Sequence, residues 1–216
     1  MARIQRKRKN ILPAIFVFWE GESEQEYIKF MKNHFQDKAV ITVHSQKGVF
    51  HTAMKAFTNN QKYKNVSSEI DEIWLFFDTE AEHRNKWEEY YTIIKRLRKL
   101  NKHIKIRLLM TKACIEYFLL LHYKRTAPRI ELPYEKEQIL GEVLKFVPVY
   151  EKGDKNSIWL IANEYKKAIE YGQWSLQQIR SELPTLEDTD ERNRMLFIGD
   201  MTFTTVHEAL LFLDAL

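Results

Sequence analysis

The residues best placed to do chemistry are acidic and sit where hydrophobic runs stop. The stretch FVFWEGESEQEYIKF, residues 16–30, passes from an apolar run into Glu20, Gly21, Glu22, Ser23 and Glu24. A second apolar run, residues 70–77, meets Asp78, with Glu80 two residues on and Glu82 and His83 close behind. Glu116 stands among apolar residues in KACIEYFLLLHY. Carboxylates gathered together repel one another, and a carboxylate removed from water needs a partner. An oxygen-only set suits Mg²⁺ or Mn²⁺ rather than zinc. Glu20 and Asp78 are the expected principal ligands, with Glu24, Glu80 or Glu116 available to a second ion. Such a site polarises a phosphate and lowers the pKa of water. Glu22 reads as a solvated turn acid. Glu24 would in any case be favoured by the helix dipole in a first turn. Glu116 has alternatives in a salt bridge with Lys112 or an outward-facing position, while His122 reads as a satisfied helix residue and Cys114 as a small core residue.

The elements that must position these groups follow from periodicity. Residues 15–19 form an almost continuous apolar run, as in a strand covered on both faces. Ser23 and Glu26 make an S-x-x-E capping box, which predicts a helix starting there and leaves Gly21 and Glu22 in the turn. Strands are predicted at 39–44, 70–77 and 104–110. Helices are predicted at 49–57, 87–97 and 115–123, the first after 23 having its core face on Tyr27, Phe30, Met31 and Phe35. Strands alternating with helices predict a parallel sheet with helices on both faces. Right-handed crossovers then bring every strand's carboxyl end to one rim, where ligands bind in such sheets. Glu20 and Asp78, far apart in sequence, meet there. Beyond residue 123 the pattern predicts a helix over 135–147 interrupted near Gly141, a helix over 157–171, and an exposed connection at PTLEDTDERNR. A T-x-x-E box at Thr205 and Glu208 opens an apolar terminal helix that must bury one face. The expected organisation is a core over 11–123 and a mainly helical extension over 124–216.

Composition narrows the class. The chain has 216 residues, 44% hydrophobic and 30% charged, with a net charge of +4. One cysteine excludes an internal disulfide. No apolar run approaches the roughly 20 residues of a bilayer span, and the basic start lacks the apolar core of a signal peptide. A cytoplasmic location is expected. The positive charge is concentrated in an arm carrying Arg3, Arg6, Lys7, Arg8 and Lys9, and in a tract from Lys95 to Arg107. Either could hold phosphates, or could be only a solvated surface.

The E-G-x-x-E pattern at Glu20 and Glu24, followed by D-x-E at Asp78 and Glu80, resembles the Toprim domain of topoisomerases, primases and OLD-type nucleases. That domain holds a divalent metal on a glutamate after its first strand and a D-x-D after its third. Here Glu80 replaces the second aspartate, which leaves the second ligand open between Glu80 and Glu82. FWEGESE, DEIWLFFDTEAEH, KACIEYFLLLHY, VYEKGDKN and FTTVHEALLFL, in that order, resemble the RloB-like family. The resemblance implies a Toprim-like α/β fold and a metal-dependent nuclease of anti-phage defence, often encoded with an ATPase partner. It also implies that Lys152 lies in a loop facing the site. The substrate would be DNA or RNA, tRNA included. The expected catalytic group is Glu20, Asp78, Glu80 and Lys152, with flanking backbone held by Arg6, Lys7, Arg8 and Lys9. The alternative is a catalytically degenerate module that docks on the ATPase.

Overall fold

The computed structural model describes residues 12–216. Four segments form strands: β1 (Ala14–Trp19), β2 (Val40–Val43), β3 (Glu72–Thr79) and β4 (Lys105–Lys112). All pair in parallel, in the order β2-β1-β3-β4. β1 and β3 are thus interior strands, which accounts for their nearly unbroken apolar sequences. The helices between strands are α1 (Glu22–His34), α2 (Phe50–Asn59), the short α3 (Gln61–Val66) and α4 (Trp87–Leu97). After β4 come α5 (Ile115–Leu120), α6 (Pro133–Phe146), α7 (Lys155–Ala162), α8 (Tyr165–Gln178), α9 (Asp190–Ile198) and α10 (Val206–Ala215). The chain is an α/β protein with a helical C-terminal part, as its periodicity predicts.

Side chains alternate between faces along each strand. Ile15, Val17, Trp19, Trp74, Phe76 and Leu109 point into a core completed by α1, α5, α6, α7, α8 and α10. Phe18, Ile73, Leu75, Phe77, Leu108 and Met110 point the other way, against α2, α4 and α9. Residues after 124 therefore cover both faces of the sheet. They also close its β4 edge. Thr204 bridges Thr111 in an antiparallel sense. Lys112 N donates to Phe203 O at 3.1 Å, and Thr205 N donates to Met110 O at 2.8 Å. An uncovered edge strand would expose a row of unpaired N–H and C=O groups.

That edge explains why the T-x-x-E box is not formed as a cap. The Thr205 hydroxyl donates to Leu108 O at 2.7 Å and accepts from Met110 N at 2.8 Å, so it is committed to β4. Glu208 is committed to Arg192, whose side chain is fully buried. Of the segment expected as an exposed connection, residues 184–189 are a connection, but 190–194 are the start of α9, and Arg192 anchors it. Its guanidinium reaches Glu208, Leu186 O, Asp188 and Asn193. A buried arginine hidden in a polar stretch leaves no periodic apolar signal. Two other expectations are corrected. α6 runs unbroken through Gly141, whose missing side chain faces open space. The single helix expected over 157–171 is two, α7 and α8, bent at Asn163 and Glu164, so that Ile158 and Ile161 of one and Ala168 and Ile169 of the other reach the same core. The apolar face of α10 is buried as required, with Val206, Ala209, Leu210 and Leu213 at 0% exposure.

Removing one partner of a buried ion pair leaves the other charge uncompensated. Glu208→Ala is therefore expected to destabilise the protein by about 3 kcal/mol, read as a lowered urea midpoint. An unchanged midpoint would show that Asp188 and the backbone carbonyl satisfy Arg192 alone.

Candidate active site

β1 and β3 end side by side, with Trp19 in register with Phe76. The next residue of β1 is Glu20, and Asp78 lies one residue before the end of β3. The two are held together directly: Asp78 N donates to Glu20 Oε2 at 3.3 Å. α1 begins at once after Gly21, which serves as its N-cap with extended backbone. Ser23 does not cap the helix, contrary to the capping box read from sequence. Its hydroxyl accepts from Gly153 N at 3.0 Å, so it ties the 150–154 loop to the start of α1. Gly153 has φ +77°, and a side chain there would meet Glu22 Oε2 at 2.9 Å. Only glycine lets the loop approach this closely without strain. Lys152, next in line, is thereby fixed over the rim.

Glu24 occupies the first turn of α1 and is 2% exposed. Its carboxylate folds back over Gly21, where any Cβ would overlap Glu24 Oε2. Glu116 enters from the opposite side. β4 passes into α5 through Ala113, a non-glycine residue with φ 67°. That left-handed conformation costs about 1 kcal/mol or more, and it turns the chain so that Glu116 lies beneath the rim. Glu116 Oε1 accepts from Tyr150 OH at 3.1 Å and lies 3.8 Å from Lys152 Nζ. Its partner is thus not Lys112, whose ammonium donates to Gly199 O at 3.1 Å.

Glu20, Gly21, Glu22, Glu24, Lys47, Asp78, Glu80 and Lys152 line one cleft of about 380 Å³. The expected residues Glu20, Glu24, Asp78, Glu80 and Lys152 are therefore brought together. Glu116 lies in the adjoining cavity of about 300 Å³ with Tyr150, Lys136 and Leu144, and Lys152 lines both. Glu80 faces the cleft and pairs with Lys136 at 2.7 Å. Glu82 lines a separate small cavity with Arg84 and Lys112. Arg6, Lys7, Arg8 and Lys9 lie outside the described residues. The second basic tract is divided: Lys95, Arg96, Lys99 and Lys102 are exposed, while three of its members are engaged within the fold. Arg107 is buried in a two-point pair with Glu72, Arg98 binds Asp190, and Lys105 lies near Asp188. Lys47 and Tyr150 were not legible as site residues. Lys47 had one signal, its place in the turn after β2, on the same rim as Glu20.

The electrostatics are unusual. Burial, reinforced by the charges of Glu24, Glu116 and Glu20, raises the Asp78 carboxyl well above its ordinary range. Burial likewise raises Glu24 to about 7, with Glu116 and Glu20 adding to it. Glu20 is raised by burial and by Glu80, against the hydrogen bond from Asp78 N. Asp78 Oδ1 and Glu24 Oε2 are buried with no hydrogen-bond partner. Each such orphan costs about 1–3 kcal/mol. Among the described residues, no three His, Cys, Asp or Glu side chains form a ready-made metal-holding group. The donor set nevertheless fits a hard divalent cation: it is all carboxylate, and two of its oxygens are buried and lack a donor.

The fold and the cleft define an α/β protein with an acidic site at the carboxyl rim of its parallel sheet. A family model described as RloB-like protein matches residues 15–211. The chain belongs to the RloB-like family. No curated protein and no solved structure matches it.

Raised carboxyl pKa values mean that the folded, ion-free protein holds protons the unfolded chain releases. The stability linked to Glu24 is present below pH 4.5 and is lost as pH rises through about 7. In chelator, Glu24→Gln is therefore expected to raise Tm at about pH 8 while leaving it nearly unchanged at about pH 5. Equal shifts at both pH values, measured by thermal melts, would show that Glu24 is not the group responsible.

Proposed function

We propose that the cleft is the active site of a divalent-metal-dependent phosphodiesterase acting on nucleic acid, the effector of a prokaryotic anti-phage defence system. One observation carries the reading. Two buried carboxylate oxygens without donors, on Asp78 and Glu24, lie in a cleft that also holds Lys47 and Lys152. Structural ion pairs would have satisfied those oxygens with protein donors. Family membership supports the substrate class through the RloB-like resemblance to Toprim nucleases.

Glu20, Asp78, Glu24 and Glu80 would hold Mg²⁺ or Mn²⁺. When bound, the ion supplies Lewis-acid polarisation of a phosphate and a lowered water pKa. The remaining tasks fall to the chain itself. Lys152 stands at the cleft wall, anchored through Gly153 N to Ser23, and meets negative charge that develops on the phosphate. Glu116, held by Tyr150, lies behind Lys152 as a loose counter-charge. Lys47 offers a second cation on the β2 side of the cleft. Asp78 N, by donating to Glu20 Oε2, fixes the orientation of that carboxylate.

The second reading, a non-catalytic module that docks on a partner ATPase, has a specific observation behind it. Leu132, Tyr134, Leu140, Phe146 and Val149, on and beside α6, are 37–71% exposed. They are spread along and around α6 rather than gathered on one face, and a docking partner would have to wrap that helix to cover them. Docking and catalysis are compatible if the ATPase controls the effector.

Purified protein with Mn²⁺ or Mg²⁺ is expected to cleave labelled tRNA, single-stranded DNA or duplex DNA, with growth arrest on expression in cells as the parallel readout. Asp78→Asn and Glu20→Gln are expected to abolish cleavage and to weaken Mn²⁺ binding in calorimetry. Lys152→Ala is expected to lower turnover by about 100-fold or more while sparing Mn²⁺ affinity. Cleavage that survives loss of both Glu20 and Asp78, or none in either setting, would overturn the nuclease reading in favour of the docking module.

A further inference from the structure

A polyanion faces a difficulty in this cleft. Five acidic residues line it against two lysines, Lys47 and Lys152. Even with an ion bound, most affinity for a nucleic-acid strand must come from surfaces beside the reacting phosphate. Binding by non-reacting parts of a substrate is how such a cost is normally met.

A cavity bordered by the loop that also carries Lys47 answers this need. It has a volume of about 550 Å³ and lies beyond the carboxyl end of β2, between the loop after that strand and the α2–α3 corner. No acidic residue is among its lining side chains. Ser45, Gln46, Lys55, Asn59 and Asn60 line it, offering a hydroxyl, three amides and one ammonium. The Asn60 side-chain oxygen accepts from Lys62 N at 2.9 Å, which caps α3 and fixes the orientation of its amide.

One short loop contributes to both cavity and cleft. Lys47 lines the cleft while Ser45 and Gln46 line the cavity. The loop is pinned to β1, the strand that delivers Glu20. His44 N donates to Val17 O at 2.9 Å, Trp19 Nε1 donates to His44 O at 2.7 Å, and Gly48 N donates to Trp19 O at 2.9 Å. Gly48 has φ +124°, which a residue with a side chain would resist. The cavity is therefore held in fixed relation to the carboxylates.

Its chemistry is that of base-edge reading. Amides present paired donors and acceptors of the kind that match base edges. The aromatic residue in the wall, Tyr63, is already committed: its hydroxyl bonds His44 Nδ1 at 2.7 Å, and its ring packs edge-on against Phe16 and Phe57. The site offers hydrogen bonds rather than a stacking platform. A base can enter a concave cavity only when it is unstacked, which duplex does not permit.

We propose that this cavity is a nucleotide-binding subsite that seats one unstacked nucleotide of a single-stranded nucleic acid beside the scissile phosphate. Gln46 and Asn59 read its base, and Lys55 meets its phosphate. The proposal rests on the nuclease reading of the cleft and adds the strand form and base selectivity of the substrate.

The test is fluorescence anisotropy with labelled homopolymeric tetranucleotides of RNA and DNA and a hairpin duplex, in EDTA so that no cleavage occurs. Wild type is expected to bind single strands over duplex and to favour one base by about tenfold. Gln46→Ala combined with Asn59→Ala is expected to flatten that preference, and Lys55→Ala to weaken all tetranucleotides by a similar factor. Asn59→Asp, nearly isosteric, replaces the amide donor with a second acceptor; it is expected to change which base is preferred as well as to weaken binding overall, and it serves if the double variant melts early. Equal affinity for all bases in wild type, or preferences unchanged in the variants, would overturn the subsite. So would competition by a free nucleoside monophosphate as effective as that by the tetranucleotide, because the occupant would then not be a strand. The two readings fail differently. Metal-dependent cleavage by wild type with unaltered variants removes the subsite alone, whereas a wild type that neither binds nor cleaves removes both.

Discussion

Everything at the rim depends on carboxylates being taken out of water before any partner is supplied. A parallel sheet sends its strand ends to one edge, and here two interior strands deliver Glu20 and Asp78 there. α1 and α5 add Glu24 and Glu116, both nearly buried. Desolvation penalises a charged carboxylate, and each neighbouring charge adds to the penalty. The folded chain offsets little of this itself: one backbone N–H for Glu20, Tyr150 for Glu116, and nothing for Asp78 Oδ1 or Glu24 Oε2. A protein that needed these acids only for stability would have paired them, as it pairs Glu72 with Arg107 and Glu208 with Arg192. That contrast within one molecule is the support for reading the rim acids as a site rather than as structural charges.

The same contrast governs the lysines. Lys136 is drawn to Glu80, and Lys112 is spent on a backbone carbonyl. Lys152 is more than half exposed and only loosely paired, 3.8 Å from Glu116. What holds it is backbone, through the Gly153 contact with Ser23 and the cap that Asp154 places on α7. A lysine anchored through its own chain, with its ammonium still in solvent, can meet a phosphate without first breaking a strong ion pair. Ser23 links the two halves of the site, since it joins the first turn of α1 to a loop some 130 residues later in the chain.

The parallel sheet was legible because each strand carried its own apolar run, and the rim carboxylates because they ended those runs. The topology then brought Glu20 and Asp78 together with no further information. What escaped reading shares a cause: residues whose role is set by a distant partner. Ser23 and Thr205 both matched capping boxes, yet each found a tertiary acceptor or donor that outcompeted the local cap. Arg192 sits in a polar stretch that reads as a loop, and Glu208, Leu186 O, Asp188 and Asn193 together make it a core residue. Arg107 counted as part of a basic surface until β3 placed Glu72 beside it. Lys47 belonged to no motif, and only its place in the turn after β2 put it on the rim.

The helical part after β4 is thereby more than a cover. It closes the β4 edge, completes both cores, and supplies Lys152 and Tyr150 to the rim. These tasks are physically linked. Phe203 and Thr205 hold β4, β4 leads through the strained Ala113 into α5, and α5 carries Glu116. The strain at Ala113 persists because both sides of the turn are fixed: Ala113 N donates to Thr79 O at 3.1 Å, next to Asp78, and Cys114 N donates to Lys112 O at 2.8 Å. Loosening the edge segment would relax that turn and withdraw Glu116 from Lys152. The site is thus built from both ends of the chain at once, and its geometry is a property of the whole fold rather than of the strands that first announce it.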